Sequence, residues 1–351
     1  MVTKNKKLHL TALLVYLFVA LGIVANAQAR FDDDEQIEQL LKDNKIPALG
    51  VGIIRNGKLQ QIKVYGELTQ AEPAPFNAIF NVASLTKPVV AMTTLRLVSA
   101  GRWNLDEPLD KYWIDPDIKS DPRHKKLTTR LVLSHQTGFP NWRWLTKSKK
   151  LEFAFEPGTK YQYSGEGFEY LRKALEAKFK RPLEELASDL VFKPLQMRDT
   201  HFVWDAAIES RFAVGHDAQR KAYEILKTTK ANAADDLLTT VGDYGTFLVS
   251  VMKGEGLSKD IFDEMIRHQV ATKANKYFGL GWEIYDLGNG NYALSHGGSD
   301  VGAKTLVFLL PKSGDGLIIF TNSDNGTNVY LKLVTDYLGD YGKQIIDIEM
   351  K

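Results

Sequence analysis

A serine and a lysine three places apart, Ser84 and Lys87, lie in the largely apolar stretch FNVASLTKPVVAM. Residues at i and i+3 share one face of a helix, so the amine could receive the hydroxyl's proton if its own pKa were low. Pro88 lacks an N–H and belongs in a helix's first turn, which places the pair at a helix start. There the positive end of the helix dipole favours an alkoxide developing on Ser84, and burial against the apolar turn disfavours the lysine's ammonium form. On this reading Ser84 is a nucleophile and Lys87 its general base. The alternative that needs no chemistry has Ser84 capping the helix and Lys87 stretching to solvent. Spacing alone leaves both open. A second Ser-x-x-Lys, Ser250…Lys253, is explained without chemistry, because Lys253 precedes Gly254 in a predicted last helical turn, where a cation suits the dipole.

The elements that must position the pair are legible from periodicity and turn residues. Residues 31–45 read as a helix with Asp32–Asp34 at its acidic end. The run ALGVGIIRNGKLQQIKVYGEL is two apolar segments around Asn56-Gly57, a strong hairpin signal. A helix follows over about 84–100. Residues 103–230 change character: they are rich in Trp, Pro, Lys and Asp, with helical stretches near 127–134, 165–179 and 182–191. Residues 231–254 approach and form another helix ending at Gly254. Strand-like runs return at 277–286, 291–296, 303–310 and 315–322, and a last helix is expected over 326–340. Strands at both ends and helices between predict an α+β fold. Its antiparallel β-sheet forms from both chain ends with flanking helices, plus an inserted, mainly helical subdomain. The α/β part covers about 31–102 and 231–351, and the insertion about 103–230.

Two further stretches bring in partners for Ser84. EPGTKYQYSGEGFEYL contains Tyr163-Ser164-Gly165, and ALSHGGSDVGAKTLVFLLP contains His296-Gly297-Gly298-Ser299. With these the chain resembles the class C β-lactamase and penicillin-binding protein-like serine hydrolase family, whose order is Ser-x-x-Lys, Tyr-x-Asn, then Lys-Thr-Gly or His-x-Gly. The blocks FNVASLTKPVVAMTTLRLVSAGRWNLDEPLDKYW, LTTRLVLSHQTGFP (with His135 and Gly138) and VGAKTLVFLLPKSGDGLIIFTNSD extend the resemblance over most of residues 45–340. The resemblance implies a serine β-lactamase/transpeptidase-like fold in which Ser84 is acylated. It implies that Lys87 and Tyr163 share the proton work, through a phenolate-like or lysine-bonded phenol. His296 is placed near the substrate carboxylate or the leaving group, and the backbone N–H groups of Ser84 and Ser299 form an oxyanion hole. Gly297 and Gly298 then let substrate lie against the strand edge without a Cβ in the way. One departure stands out. The family's Asn is Gly165 here, and the neighbouring Glu166 is the residue that could reach into the same space. His135, Trp142 and Trp144 read as structural. Ser323-Asp324-Asn325 matches a related box but falls in the wrong order and reads as a strand-to-helix loop.

Composition narrows the rest. A chain of 351 residues that is 44% hydrophobic can bury a sizeable core. Lys4, Lys6 and Lys7, the apolar run Leu10–Val24 and Ala25-Asn26-Ala27 read as a secretory signal peptide over residues 1–27. The run is shorter than the roughly 20 residues that span a bilayer. This predicts a periplasmic or secreted protein, residues 28–351, without stable membrane insertion after cleavage. Removing the leader takes out three of 45 basic residues and none of the 43 acidic ones. The remaining chain is near neutral, with no electrostatic case for nucleic acid. The absence of Cys excludes disulfides and thiolate metal sites. The expectation is an exported serine hydrolase acting on an ester, amide or β-lactam carbonyl of a small molecule or peptide, requiring no cofactor. The rival is a penicillin- or peptidoglycan-peptide-binding protein that captures without turnover.

Overall fold

Asn56 and Gly57 take φ of 52° and 67°, the paired left-handed conformations that a two-residue hairpin requires. They turn β1 (Ala48–Arg55) into β2 (Lys58–Thr69), which a short β3 (Glu72–Pro73) extends. The computed structural model describes residues 34–69 and 72–351, so the expected leader over 1–27 lies outside the described residues. A helix, α1 (Asp34–Asp43), leads into the hairpin. Beyond it, β4 (Phe80–Asn81) pairs with the distant β5 (Leu238–Thr239), and α2 (Thr86–Ser99) carries the residues that follow Ser84. Between residues 103 and 230 the regular elements described are helical: α3 (Thr129–Leu133), α4 (Gly165–Phe179), α5 (Leu183–Ala187) and several single turns. The chain then returns through α6 (Val241–Lys253) and α7 (Lys259–Met265). It ends in β6 (Val270–Lys273), β7 (Lys276–Phe278), β8 (Glu283–Gly288), β9 (Asn291–Asp300), β10 (Ala303–Leu310), β11 (Asp315–Thr321) and α8 (Tyr330–Met350).

The two groups of strands form one antiparallel sheet in the order β3-β2-β1-β11-β10-β9-β8-β7-β6. β1 joins the N-terminal hairpin to the C-terminal strands and is buried along nearly its whole length, because both of its faces are covered. Leu49, Val51 and Ile53 pack with Ile37 and Leu41 of α1 and Val334 of α8. Ala48 and Ile54 belong to the larger core, with Val241 and Tyr244 of α6. That larger core runs on without a break into the helical insertion, through Val132, Phe168 and Leu171.

Two boundaries differ from expectation. The run 277–286 is two strands, β7 and β8, because Gly279-Leu280-Gly281 forms a turn with Gly281 at φ 86°. The last helix continues to Met350 through a kink at Gly339, where φ is 56° and ψ −128°. Ile345 and Ile348 carry its apolar face onward. Among the described residues no helix is long and apolar enough to cross a membrane.

Candidate active site

Ser84 sits in a 3₁₀ turn, Ala83–Leu85, that runs directly into α2. Ala83 holds φ 49°, a left-handed value uncommon for a residue with a Cβ. The turn is anchored on three sides: the Asn81 carboxamide accepts from the Ala83 N–H at 2.8 Å, Thr86 Oγ1 donates to Ala83 O at 2.6 Å, and Thr305 Oγ1 donates to Val82 O at 2.9 Å. Such strain is kept where the surroundings over-determine it. Here it presents the Ser84 hydroxyl to a cavity of about 650 Å³.

Lys87 lies beneath that hydroxyl, one helical turn on, and is 0% exposed. Its Nζ is 2.9 Å from Ser84 Oγ and donates to the Ala234 carbonyl at 2.7 Å. Burial lowers its pKa from 10.5 to about 7, and the negative charge of Asp235 resists that fall. A neutral amine has two N–H donors and one lone pair. With an N–H committed to Ala234, the lone pair can face Ser84. Tyr163 lines the cavity beside Ser84, and Lys87 Nζ is 4.7 Å from the centre of the Tyr163 ring. Burial pushes the Tyr163 phenol well above its usual pKa, and the nearby Ser84 hydroxyl offsets only part of that. Burial thus favours the neutral phenol over the phenolate-like form of its expected role.

β9 forms the opposite wall. β8 stops at Glu283, opposite Ser295, so residues 296–300 pair only with β10. That free edge faces the Ser84 turn, and Tyr163, His296, Gly297, Gly298 and Ser299 all line the cavity with Ser84. His296 is 2% exposed. Its Nδ1–H donates to Gly297 O at 2.7 Å, which assigns the tautomer and leaves Nε2 as a buried acceptor without a partner among the described residues. Burial, with Lys87 nearby, lowers the imidazole's pKa to about 3. His296 is thus a neutral acceptor, not a cation that could hold a carboxylate.

The Ser84 turn, a buried lysine, a phenol and a free strand edge converge on one hollow. The family model described as Beta-lactamase matches residues 34–334. The chain belongs to the Beta-lactamase family. Protein flp of Staphylococcus aureus (strain MW2) is 22% identical over 314 residues, 82% of this chain and 62% of its own length. Esterase EstB of Burkholderia gladioli is 27% identical over 218 residues, 53% of this chain and 54% of its own. The chain therefore spans about three fifths, or somewhat less, of the curated relatives it matches. Among solved structures, the octameric penicillin-binding protein homologue from Pyrococcus abyssi superposes with a TM-score of 0.74 at 20% identity, covering 87% of this chain and 76% of its own. The fold is thus the α+β serine-hydrolase type shared by β-lactamases and penicillin-binding proteins.

Within that fold, Glu166 is not part of the hollow. Gly165 is the first residue of α4, with Ser164 as its N-cap. The next side chain, Glu166, turns away and is held by Arg143, at 2.9 Å to its N–H and 2.8 Å to its Nη2. Arg143 also pairs with Asp115 at 2.7 Å. Glu166 lines a separate depression with Trp142 and Asp115. Replacing Arg143 with Met would leave two nearly buried carboxylates unpaired. An expected loss of about 2–4 kcal/mol, discounted for the partly exposed guanidinium, should appear in thermal melts. Glu166→Gln should lower the melting temperature without moving the pH profile of activity.

Gly165 has a packing reason of its own. A Cβ there would lie 2.7 Å from the Trp142 indole, which stacks on Trp144 at 4.5 Å. A polar side chain comes instead from the preceding loop: Asn141 lines the cavity and its Oδ1 accepts from the Gly165 N–H at 2.9 Å. Three other neighbours were not read from the sequence as part of the site. His135, with φ 55°, is fully buried, accepts from the Ser164 N–H at 3.1 Å and packs against the Tyr163 ring, tilted by 33° with centroids 4.3 Å apart. It was expected to be structural, but its position against Tyr163 was not foreseen. Asp235 and Asp236 follow the Ala234 carbonyl that receives Lys87. With Asp300 they are the group of described residues whose possible metal-ligating atoms converge, within 4.8 Å of one another. Burial and mutual repulsion raise Asp235 to about 7 and Asp236 to about 6. The second Ser-x-x-Lys is structural: Ser250 is buried and accepts from Arg96 at 2.8 Å, while Lys253 lies near Glu255 at the end of α6.

Proposed function

We propose that the chain is a serine hydrolase that cleaves an ester through a covalent acyl-enzyme on Ser84. The observation that carries this reading is the 2.9 Å contact between Lys87 Nζ and Ser84 Oγ beneath a hydroxyl that opens on the cavity. Ser84 Oγ attacks the substrate carbonyl and its proton passes to Lys87 Nζ. The main-chain N–H groups of Ser84 and Ser299 receive the oxyanion, where one donor is worth about 3–4 kcal/mol in other enzymes. The proton then returns through Tyr163 to the departing alkoxide. Water repeats the sequence on the acyl group and releases the acid.

Three observations favour an ester over a substrate that carries its own carboxylate. His296 is neutral. Of the two lysines lining the cavity, Lys276 is paired with Glu349 at 2.5 Å and Glu283 at 3.0 Å. The other, Lys304, is bonded to Asp300 O at 2.7 Å and lies 3.7 Å from Asp324. A relative in the family is an esterase. The leader expected over 1–27 would place this activity outside the cytoplasm.

The test is intact mass after mixing with 4-nitrophenyl acetate and quenching in acid. A transient acetyl mass on the peptide that holds residue 84, absent from Ser84→Ala, is the expected result. A persistent mass would make the protein a capture device instead, and an adduct that survives in Ser84→Ala would end the proposal.

A further inference from the structure

The cavity does not stop at the nucleophile. It passes over Gly297, which carries no side chain, and continues to the far face of the sheet. Cross-strand partners share a face: Gly297 pairs with Leu306 and Ser295 with Phe308, so this face is the one that packs on α8. There Phe308, Val334 and Ile345 are buried together, with Leu306, Tyr330 and Ile346 partly buried against them. All six line the same cavity as Ser84.

The far wall draws on the end of the chain. The family match ends at residue 334, whereas Ile345 and Ile346 lie beyond the Gly339 kink. That last half of α8 is clipped down by Glu349, which pairs with Lys276 at 2.5 Å and Lys273 at 3.0 Å and accepts from the Tyr285 hydroxyl. The clip also pairs one of the two lysines that line the cavity. The charged groups of the lining, Lys276, Glu283, Glu349 and Lys304, are held by protein partners, which leaves the apolar side chains as the surface open to a ligand.

We propose that a wall of Leu306, Tyr330 and Ile346, backed by the buried Phe308, Val334 and Ile345, holds an extended apolar group of the substrate, which reaches it from Ser84 across Gly297. This rests on the ester reading above and adds the substrate class: esters with an alkyl or aryl group several carbons long. Gly297 is the gate. A Cβ there would meet nothing nearer than Thr305 O at 3.8 Å and Leu306 Cδ1 at 3.9 Å. A larger side chain at this position would fill the passage and leave the sheet intact.

The experiment measures kcat/KM for acylation in two series. One lengthens the acyl group, from 4-nitrophenyl acetate to 4-nitrophenyl hexanoate. The other lengthens the alcohol, from methyl acetate to hexyl acetate. In whichever series feeds the wall, the rate constant should rise about fourfold per added methylene, the equivalent of burying one CH₂. Gly297→Val and Ile346→Glu, checked for native melting and circular dichroism, should flatten that slope. A flat or falling profile in both series, with Ser84 still acylated by the acetate, overturns this inference and leaves the ester reading standing. An unchanged slope in both variants also overturns it. No adduct on Ser84 with any ester defeats the ester reading and this inference with it.

Discussion

Lys87→Met is expected to lower the acylation rate constant by about 10²–10⁴-fold, the range of a general base's contribution, and at the same time to stabilise the protein. Both effects come from burial. The ammonium is shut away from water, so its pKa falls from 10.5 to about 7 and the neutral amine is available to Ser84. The same shift costs stability. Between about pH 7 and 10.5 the unfolded chain binds a proton that the folded one releases, so stability contributed by this group rises with pH across that window. The penalty is full below about 7, on the order of 4 kcal/mol, and vanishes near 10.5. Methionine fills much of the same volume without a charge to desolvate. The melting temperature of Lys87→Met should therefore exceed the parent's most at pH 7 and below, and the gap should close toward pH 10. Lys87→Arg should lose activity as well, since a guanidinium does not deprotonate.

The carboxylates beside Lys87 have the opposite sign. Asp235 and Asp236 are raised from 3.8 to about 7 and about 6. The folded protein keeps their protons as pH climbs through that range, and the stability they contribute falls. Together the three groups put the site's least stable protonation state near neutrality, where the base is half prepared. Parent kcat/KM should rise with pH through about 7 as Lys87 loses its proton. Asp235→Asn removes the charge that holds Lys87's proton, so the acidic limb should move to lower pH. A limb that stays put would separate Asp235 from the base, and an active Lys87→Met would remove Lys87 from the mechanism altogether.

Much of this frame can be read from local chemistry. Asn56-Gly57 specifies its hairpin because both residues accept positive φ. α4 spans 165–179 as expected because Ser164 caps its start, its Oγ accepting from the Gly167 N–H at 3.0 Å. The lapses arise where tertiary contacts overrule local signals. The last helix is expected to end at 340, beside Gly339, yet α8 resumes because Ile345 and Ile348 still have a core to enter. Glu166 is one residue from the expected Asn position, but a helix start turns successive side chains about 100° apart, and its partner Arg143 is 23 residues away. Asn141 and Asp235 reach the site on loops whose docking no periodicity encodes. Asp235 follows the one carbonyl, Ala234, that receives Lys87 from 147 residues away.

The adjacent glycines of β9 show the same limit at finer grain, and they give the second large effect. Both were read as clearing a path for substrate, and only Gly297 is open. Gly298→Ala is expected to lower acylation by about 10²–10³-fold, the cost of losing one oxyanion donor, and stability by about 1–3 kcal/mol, as for an overpacked core. Its Cβ would fall 2.2 Å from Thr305 Oγ1 and 2.4 Å from Val82 O, the two atoms that bond each other at 2.9 Å to pin the nucleophile turn to β10. Backbone carbonyl and anchored hydroxyl cannot swing aside as a flexible side chain can. β9 must move off the turn, and Ser299 moves with it, away from Ser84. Gly297→Ala, one residue earlier on the other face, meets nothing within 3.8 Å and should melt like the parent. Thermal melts and acylation rates on the two alanine variants therefore form a paired test. If Gly298→Ala acylates at the parent rate, the close approach of β9 to the Ser84 turn does not build the site. If both variants lose stability alike, the damage belongs to the strand rather than to this contact.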